Sequence, residues 1–404
     1  MSDRRRPHVA VLGAGIMGTS TALFLARAGC TVTLFDRASS PMEGASRWNE
    51  GKIHLGFLYA ADPSMHSAAR MIPGGLAFKR LTEELIGASI APAVTAEDDV
   101  YLVHPDSVVD ADAMGRYFLR VRSLIEGAEG TDRYLAPIGP VERLSDGAEA
   151  LSSGFIRTGF RVPERSVRTN WVADRLVDAL AAEPRIRLLM STSVVGVEPV
   201  AGSWDGPWTV HSDPMVGACF DAVVNALWDG RLAVDMASGL APEPGWSHRF
   251  RLSLFVETDE YVGLPSVVLA TGPFGDVKNY AGRHFYLSWY PAGLLAEGTD
   301  VEPPPVMDRL LPGAFIDALR QGLTTILPPV GAVFDRAKEI AIGGGWVFAR
   351  GQGSLADSSA SLHRRDRFGI RRAGTYFSVD TGKYSTAPWL AQQIANEIAQ
   401  TDSA

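Results

Sequence analysis

Residues 9–12 are uniformly apolar and run straight into glycines, the mark of a short buried strand entering a turn. Beyond that turn, apolar positions including Leu23, Leu25 and Ala28 keep a helical period until Gly29 stops it. Residues 31–35 form a second apolar strand that delivers Asp36 at its carboxyl end. Helical spacing returns at 65–86, where Pro73, Gly74 and Gly75 predict an interruption, and again at 111–126 and 168–182. Strands are predicted at 99–104, 187–189, 193–199, 208–212 and 221–225, with a glycine-rich hairpin at 201–207. From 246 the pattern alternates, giving strands at 249–257, 266–270 and 284–290. The last places His284, Tyr286, Ser288 and Tyr290 on one face and Phe285, Leu287 and Trp289 on the other. A helix broken at Pro312 and Gly313 is expected over 307–327. Residues 339–346 then read as a strand and glycine turn, 375–379 as a strand and 387–398 as a helix.

The first of these stretches carries specific chemistry. Gly13, Gly15 and Gly18 have GxGxxG spacing between a strand and a helix: one glycine for a tight turn, one for close approach to a pyrophosphate, one for helix–strand packing. Gly15, Ile16 and Met17 sit where helix-start N–H groups and the positive dipole end meet the phosphates. Asp36 follows Gly18 by 18 residues, where the motif wants a carboxylate for ribose hydroxyls, with Arg37 beside it. Strand, turn, helix, strand and acid in register predict dinucleotide binding.

A chain of 404 residues is long enough for about two domains. Its formal charge of −8 argues against a nucleic-acid partner, although basic clusters stand at 4–6 and 363–372. Two cysteines, Cys30 and Cys219, both in predicted core segments, offer no metal spacing and fit a reducing, cytoplasmic setting. The basic start and the apolar run behind it imitate a signal peptide, but the phosphate-loop glycines and Arg27 break that run. No apolar stretch reaches the roughly 18 residues of a membrane span.

After Asp36 the chain continues through a Ser/Pro/Gly-rich loop into Asn49, Gly51, Ile53, His54, Gly56 and Tyr59, an N-x-G-x-I-H-x-G-x-x-Y pattern. This resembles the segment behind the Rossmann unit of FAD-dependent oxidoreductases of the D-amino-acid oxidase and glycine oxidase superfamily, particularly its L-2-hydroxyglutarate and glycerol-3-phosphate dehydrogenase branches. The resemblance implies a Rossmann-type α/β FAD-binding domain with an inserted α+β substrate domain on a mostly antiparallel sheet. On this sequence it assigns 1–60, 145–235 and 336–404 to a discontinuous FAD domain, and 61–144 and 236–335 to the substrate domain. It implies that Ser46, Arg47, Asn49, Gly51, Lys52 and His54 lie near the FAD, and that Val194 and Val195 form the adenine-side strand. Where the family carries a small A-x-G turn, this chain has Ala226, Leu227 and Trp228, so backbone approach to the cofactor there must differ. Gly344 and the Gly382, Lys383, Tyr384, Ser385 run resemble the segments that close over the flavin.

The chemistry that follows is hydride transfer to the flavin N5 from a carbon bearing an amine or hydroxyl, with dioxygen or another compound as final acceptor. His54 is the acid/base candidate, since imidazole titrates near working pH; a hydrogen bond to the flavin or covalent attachment are its alternatives. Tyr59, Tyr286 and Tyr290 are candidates for positioning a small polar substrate, and Lys383 for stabilising reduced flavin. For an anionic substrate group, Arg251, Arg283 and Arg350 lie near predicted pocket segments. The basic run 361–372 reads either as a solvated loop or as an anionic-substrate rim. Two other classes stay open: a flavin monooxygenase or NAD(P)-dependent dehydrogenase on a similar fold, and a non-catalytic FAD-holding module.

Overall fold

The fold is built on two large sheets, and residues of both line one cavity. The computed structural model describes residues 6–128, 130, 132–306 and 311–401. Arg4 and Arg5 of the basic start, and 307–310 of the expected helix, lie outside these residues.

In the first sheet, His8–Leu12 is central, with Thr31–Phe35 and Ile186–Leu189 on one side. Ala222–Asn225, Tyr376–Asp380 and Gly369–Ala373 lie on the other side. All neighbours are parallel except the edge strand Gly369–Ala373. The register sets Leu12 opposite both Phe35 and Asn225, and Asn225 opposite Ser378. The carboxyl ends of four strands therefore finish in one row, and the loops after them open on the same edge, where parallel α/β sheets place ligands.

Alternation decides which side each residue covers. Val9 and Val11 face a core shared with Ile16–Arg27, Thr169–Ala181 and Ala387–Thr401. Ala10 and Leu12 face the antiparallel ribbon Ser193–Pro199, Trp208–Asp213 and Cys219–Phe220 across Val197, Trp208 and Phe220. Cys30 is buried as expected, but Cys219 is exposed on this ribbon.

The second sheet has nine strands, and Trp246–Thr258 is its spine, pairing with His284–Trp289, Leu294–Gly298 and Ala337–Arg350. Phe285 and Leu287 pack with Leu254 and Val256 on Phe315, Leu319 and Leu323 of Pro312–Ile326, and Trp289 packs against the same core. Tyr286 and Ser288 point to the opposite face, the division expected from alternation.

Three local expectations change. His66–Ile86 is one continuous helix through Pro73. Gly74 and Gly75 serve close packing: a Cβ on Gly75 would lie 2.2 Å from the His54 carbonyl oxygen, and one on Gly74 2.7 Å from Thr386. Gly343–345 form no turn; they lie within the 14-residue strand Ala337–Arg350. There a Cβ on Gly343 would meet the Trp48 ring at 2.2 Å, and one on Gly345 would meet Ala45 at 2.7 Å. The break at Pro312 is instead the start of Pro312–Ile326. Gly159–Val162 and Ala337–Arg350, expected with the nucleotide sheet, hydrogen-bond into the nine-stranded one. Among the described residues, no helix is long and apolar enough to cross a membrane.

Candidate active site

A cavity of about 1030 Å³ runs from the glycine turn to the polar face of the nine-stranded sheet. At its first end Gly13 takes φ +96°, and a Cβ on Gly18 would lie 1.7 Å from the Gly13 carbonyl oxygen, so only glycine lets helix and turn touch. Asp36 accepts from the Ala14 N–H at 2.6 Å and the Ala38 N–H at 2.8 Å, while the Ser46 hydroxyl accepts from the Ile16 N–H at 2.9 Å. Gly13, Gly15, Ile16, Met17, Asp36, Arg37 and Ser46 all line the cavity here, with Val195, Ala226 and Trp228. Arg37 also reaches Asp229 at 3.1 Å, and the Trp228 indole donates to the Trp346 carbonyl at 2.7 Å. The Ala226 carbonyl is what a side chain on Gly13 would strike, at 2.8 Å.

The segment from 45 to 54 forms the middle of the wall. Asn49 faces the cavity while its amide donates to the Ala45 carbonyl and its oxygen accepts from the Gly51 N–H, both at 2.8 Å. Gly344 faces the cavity too. Four residues expected at the cofactor lie off the cavity wall. Gly18 is a packing contact. Arg47 is drawn to Asp174 at 2.8 Å. Gly51 takes φ +60° where a Cβ would strike the Val167 carbonyl oxygen at 1.8 Å. Ser385 is buried behind the Gly382–Tyr384 stretch of the wall.

At the far end, Lys52 is bound into a closed ionic network. Its ammonium donates to Asp99 at 2.5 Å, Glu164 at 3.3 Å and the Tyr101 hydroxyl at 3.1 Å. Lys278 donates to the same Asp99 oxygen at 2.7 Å, and Glu164 also accepts from the Leu55 N–H at 2.7 Å. The network thus grips the chain on both sides of His54. Although burial opposes its charge, Asp99 and Glu164 hold the Lys52 ammonium above its ordinary pKa. Burial and the neighbouring Lys52 hold Lys278 below its own, with Asp99 and Asp276 pulling the other way.

His54 lines the cavity at 1 % exposure, and its Nδ1 has no partner among the described residues. Burial, then the charge of Lys383, pushes it well below the usual histidine range, so it stands as a neutral imidazole. The Tyr59 ring lies 5.6 Å away, its hydroxyl unpartnered and pushed up by burial. Tyr286 accepts from Ser253, and Tyr290 accepts from Arg249, each at 2.9 Å. Arg251 stacks on the Tyr290 ring at 4.5 Å and donates to Ser288 at 3.2 Å.

Lys383 and Tyr384 close this end with Gly382. Burial and then the neighbouring Arg365 lower Lys383 to about 7, with Glu50 pulling the other way. Arg365 itself is lowered to about 10 by burial and Arg249. Burial would raise Glu50, but Lys383 and Arg251 outweigh it and keep this carboxyl ionised. Asp276 is pushed up by burial and Glu50.

Of the arginines expected to bind an acid group, only Arg251 reaches the cavity. Arg283 donates to the Asp259 carbonyl, and Arg350 lies between Glu243 and Asp380. Arg249 and Glu50 were not singled out by the sequence, and Arg365 entered only through the rim alternative for the basic run 361–372. Arg249 had a signal, since it shares strand parity with Arg251 and Ser253; Arg365 sat in the mixed basic run with nothing local to single it out.

A family model described as FAD dependent oxidoreductase matches residues 8–395. The bifunctional tRNA 5-methylaminomethyl-2-thiouridine biosynthesis protein MnmC of Chromohalobacter salexigens is 39 % identical over 188 residues, which is 45 % of this chain and 23 % of that protein. Glycine oxidase from Geobacillus kaustophilus superposes with TM-score 0.67 at 16 % identity, covering 98 % of this chain and 95 % of that one. L-α-Glycerophosphate oxidase from Mycoplasma pneumoniae, with FAD bound, gives the same TM-score of 0.67, identity of 16 % and coverage of 98 % and 95 %. L-Proline dehydrogenase from P. horikoshii gives TM-score 0.66 at 14 % identity, covering 98 % and 94 %.

Proposed function

The chain belongs to the FAD-dependent oxidoreductase family, and on that premise we propose that it oxidises a CH–NH or CH–OH carbon of a small substrate bearing an acid group. The observation that carries the substrate side of this reading is the set Arg249, Arg251 and Arg365 around one end of the cavity. Among the described residues none of the three has a carboxylate within ion-pairing distance. Glycine, L-α-glycerophosphate and L-proline, the compounds named with three proteins of similar fold, each join an acid group to an amine or hydroxyl.

The cofactor is FAD, and the cavity suits a group of that length. Backbone closes tightly at Gly13 and Gly18, the helix start at Gly15, Ile16 and Met17 lines the cavity, and buried polar atoms at His54 and Tyr59 stand without partners among the described residues. Ile16, Met17, Asp36 and Ser46 would hold its nucleotide half, and Asn49, Gly344, Gly382 and Lys383 its ring half. FAD supplies a two-electron acceptor for hydride at flavin N5. The chain's own residues bind the acid group, exclude water and manage the proton. Neutral His54 and Lys383 above about pH 7 can each accept one, at Nδ1 and Nζ respectively. Two cysteines in 404 residues suit a reducing compartment, so the proposed location is the cytoplasm, which fractionation of cells checks.

The test is anaerobic mixing of the purified yellow protein with amino acids, secondary amines and hydroxy acids. Loss of the flavin's visible absorbance is expected with a subset of the acids, and oxygen uptake in air then shows whether dioxygen is the acceptor. A correctly folded, flavin-loaded protein that no member of the panel bleaches would refute the reading.

A further inference from the structure

The chain from 52 to 56, which carries His54, is buried at every residue, so its backbone N–H and C=O groups need partners. Lys52 and Ile53 pair with Ser166 and Arg165 in a two-residue ladder, and beyond it side chains take over. The Tyr134 hydroxyl donates to the Ile53 carbonyl at 2.7 Å and accepts from the Arg165 N–H at 2.8 Å. The Leu55 N–H donates to Glu164 at 2.7 Å, and the Tyr117 hydroxyl donates to the Gly56 carbonyl at 3.1 Å. Packing closes the other side. Gly56 takes φ +104°, where a Cβ would lie 2.6 Å from that of Ala68, and Gly75 abuts the His54 carbonyl.

Glu164 differs from the two tyrosines in holding the chain on both sides of His54. Its Oε1 accepts from the Leu55 N–H, and its Oε2 accepts from the Tyr101 hydroxyl at 2.7 Å and the Lys52 ammonium at 3.3 Å. It is wholly buried, and a carboxylate is costly to bury where a neutral oxygen would satisfy one N–H. The His54 imidazole has no comparable hold: its Nδ1 lacks a partner among the described residues, and the ring faces the cavity. The aim of the ring therefore depends on the backbone that bears it. Tyr117, Tyr134 and Glu164 all lie off the cavity wall, so they reach its contents only through His54 and its neighbours.

Resting on the oxidoreductase reading, we propose that Glu164 is a positioning residue that fixes the His54 imidazole at the cavity through the Leu55 N–H. Tyr134 and Tyr117 assist by fixing the Ile53 and Gly56 carbonyls. Two substitutions separate this task from charge pairing. Glu164→Gln keeps an acceptor for the Leu55 N–H but turns an amide N–H toward the Lys52 ammonium, so the ion pair is lost and the hold on His54 stays. Glu164→Ala loses both.

The limiting rate of anaerobic flavin reduction and the substrate dissociation constant are measured on the FAD-loaded protein, with an acid that bleaches it. Glu164→Ala is expected to slow reduction by a factor on the order of 100, the cost of misplacing a reacting group by about 1 Å. Binding stays within about threefold, and Glu164→Gln recovers most of the rate although both variants lose stability. In a His54→Ala background Glu164→Ala adds nothing, because the residue acts through the missing ring. Should Glu164→Ala fail to fold, Tyr134→Phe carries the same comparison with a loss of about fivefold, the worth of one neutral hydrogen bond. A readout free of turnover is the ring resonance of His54 in protein labelled at histidine, identified as the line that His54→Ala removes. One narrow line is expected, broadened or doubled by Glu164→Ala and single in Glu164→Gln. The same loss in both backgrounds, or a His54 line untouched by Glu164→Ala, overturns the inference. Normal reduction by His54→Ala overturns it too, while leaving the oxidoreductase reading intact. If no substrate bleaches the flavin, that reading falls, and the resonance alone decides whether Glu164 positions His54.

Discussion

Two groups of cations flank His54, one fully buried and one partly buried beside the cavity, and the protein treats them in opposite ways. Lys52 and Lys278 share Asp99, and Glu164 completes the set, so two ammonium groups meet two carboxylates with every pair at 3.3 Å or less. Arg249, Arg365 and Lys383 lie on the cavity side with no such partners. The contrast teaches that burial alone does not reveal what a charge is for. The first set pairs its charges from within, although Asp99 Oδ1 has no partner among the described residues, and it positions backbone; the second is completed only by something from outside.

Breaking the complete set should have the largest effect. Asp99→Ala leaves two ammonium groups buried against one carboxylate, and we predict a loss of about 3–5 kcal/mol in unfolding free energy. Denaturant titration of the FAD-loaded protein measures it, and a loss below about 1 kcal/mol, the range of a solvated pair, would show that water reaches this network. Arg249→Met should do the opposite. Relieving repulsion from Arg365 leaves stability unchanged or higher, while kcat/KM for the substrate falls by a factor on the order of 100, equivalent to a desolvated ion contact. A destabilised Arg249→Met protein with normal kcat/KM would make Arg249 a structural residue.

Titration sharpens the same contrast. Lys383 is lowered from 10.5 to about 7 by burial and Arg365, with Arg249 and Arg251 adding and Glu50 opposing. The folded protein therefore binds fewer protons than the unfolded chain between these values, and this residue's contribution to stability rises as pH climbs from about 7 toward 10.5. Anaerobic flavin reduction should rise through the same lower value, and Lys383→Met should flatten that limb. An unchanged profile in the variant would assign the titration to another group. The smallest effect is expected at the exposed pair of Lys338 and Glu257, 2.7 Å apart: Lys338→Ala should leave the Tm unchanged, because solvent screens such pairs.

Legibility followed the range of the interactions. The turn at Gly13–Gly18 and the acid at Asp36 could be read because strand, turn, helix and strand are contiguous and each glycine has a local reason. Tyr286 and Ser288 could be assigned to one face by alternation alone, and the structure keeps that assignment. What failed was non-local. Gly343–345 imitate a turn because nothing nearby reveals that Trp48 and Ala45 lie on them. Pro73 and its glycines imitate a helix break until the His54 loop and Thr386 are seen against them. Lys52 lines the cavity, but that its charge is taken up by Asp99 and Glu164, supplied by other strands and loops, could not be read locally. Arg365 acquires meaning only where the last loop before the terminal strands lines the same cavity as Arg249 of the second sheet.

The most direct test of the central claim compares an acid with its own amide. The FAD-loaded protein is mixed anaerobically with an amino or hydroxy acid that bleaches its flavin, and separately with the corresponding amide, which keeps the oxidisable carbon but loses the charge. The unpaired arginines predict rapid bleaching by the acid and a rate lower by a factor on the order of 100 or more with the amide. Equal rates for the two would contradict the account.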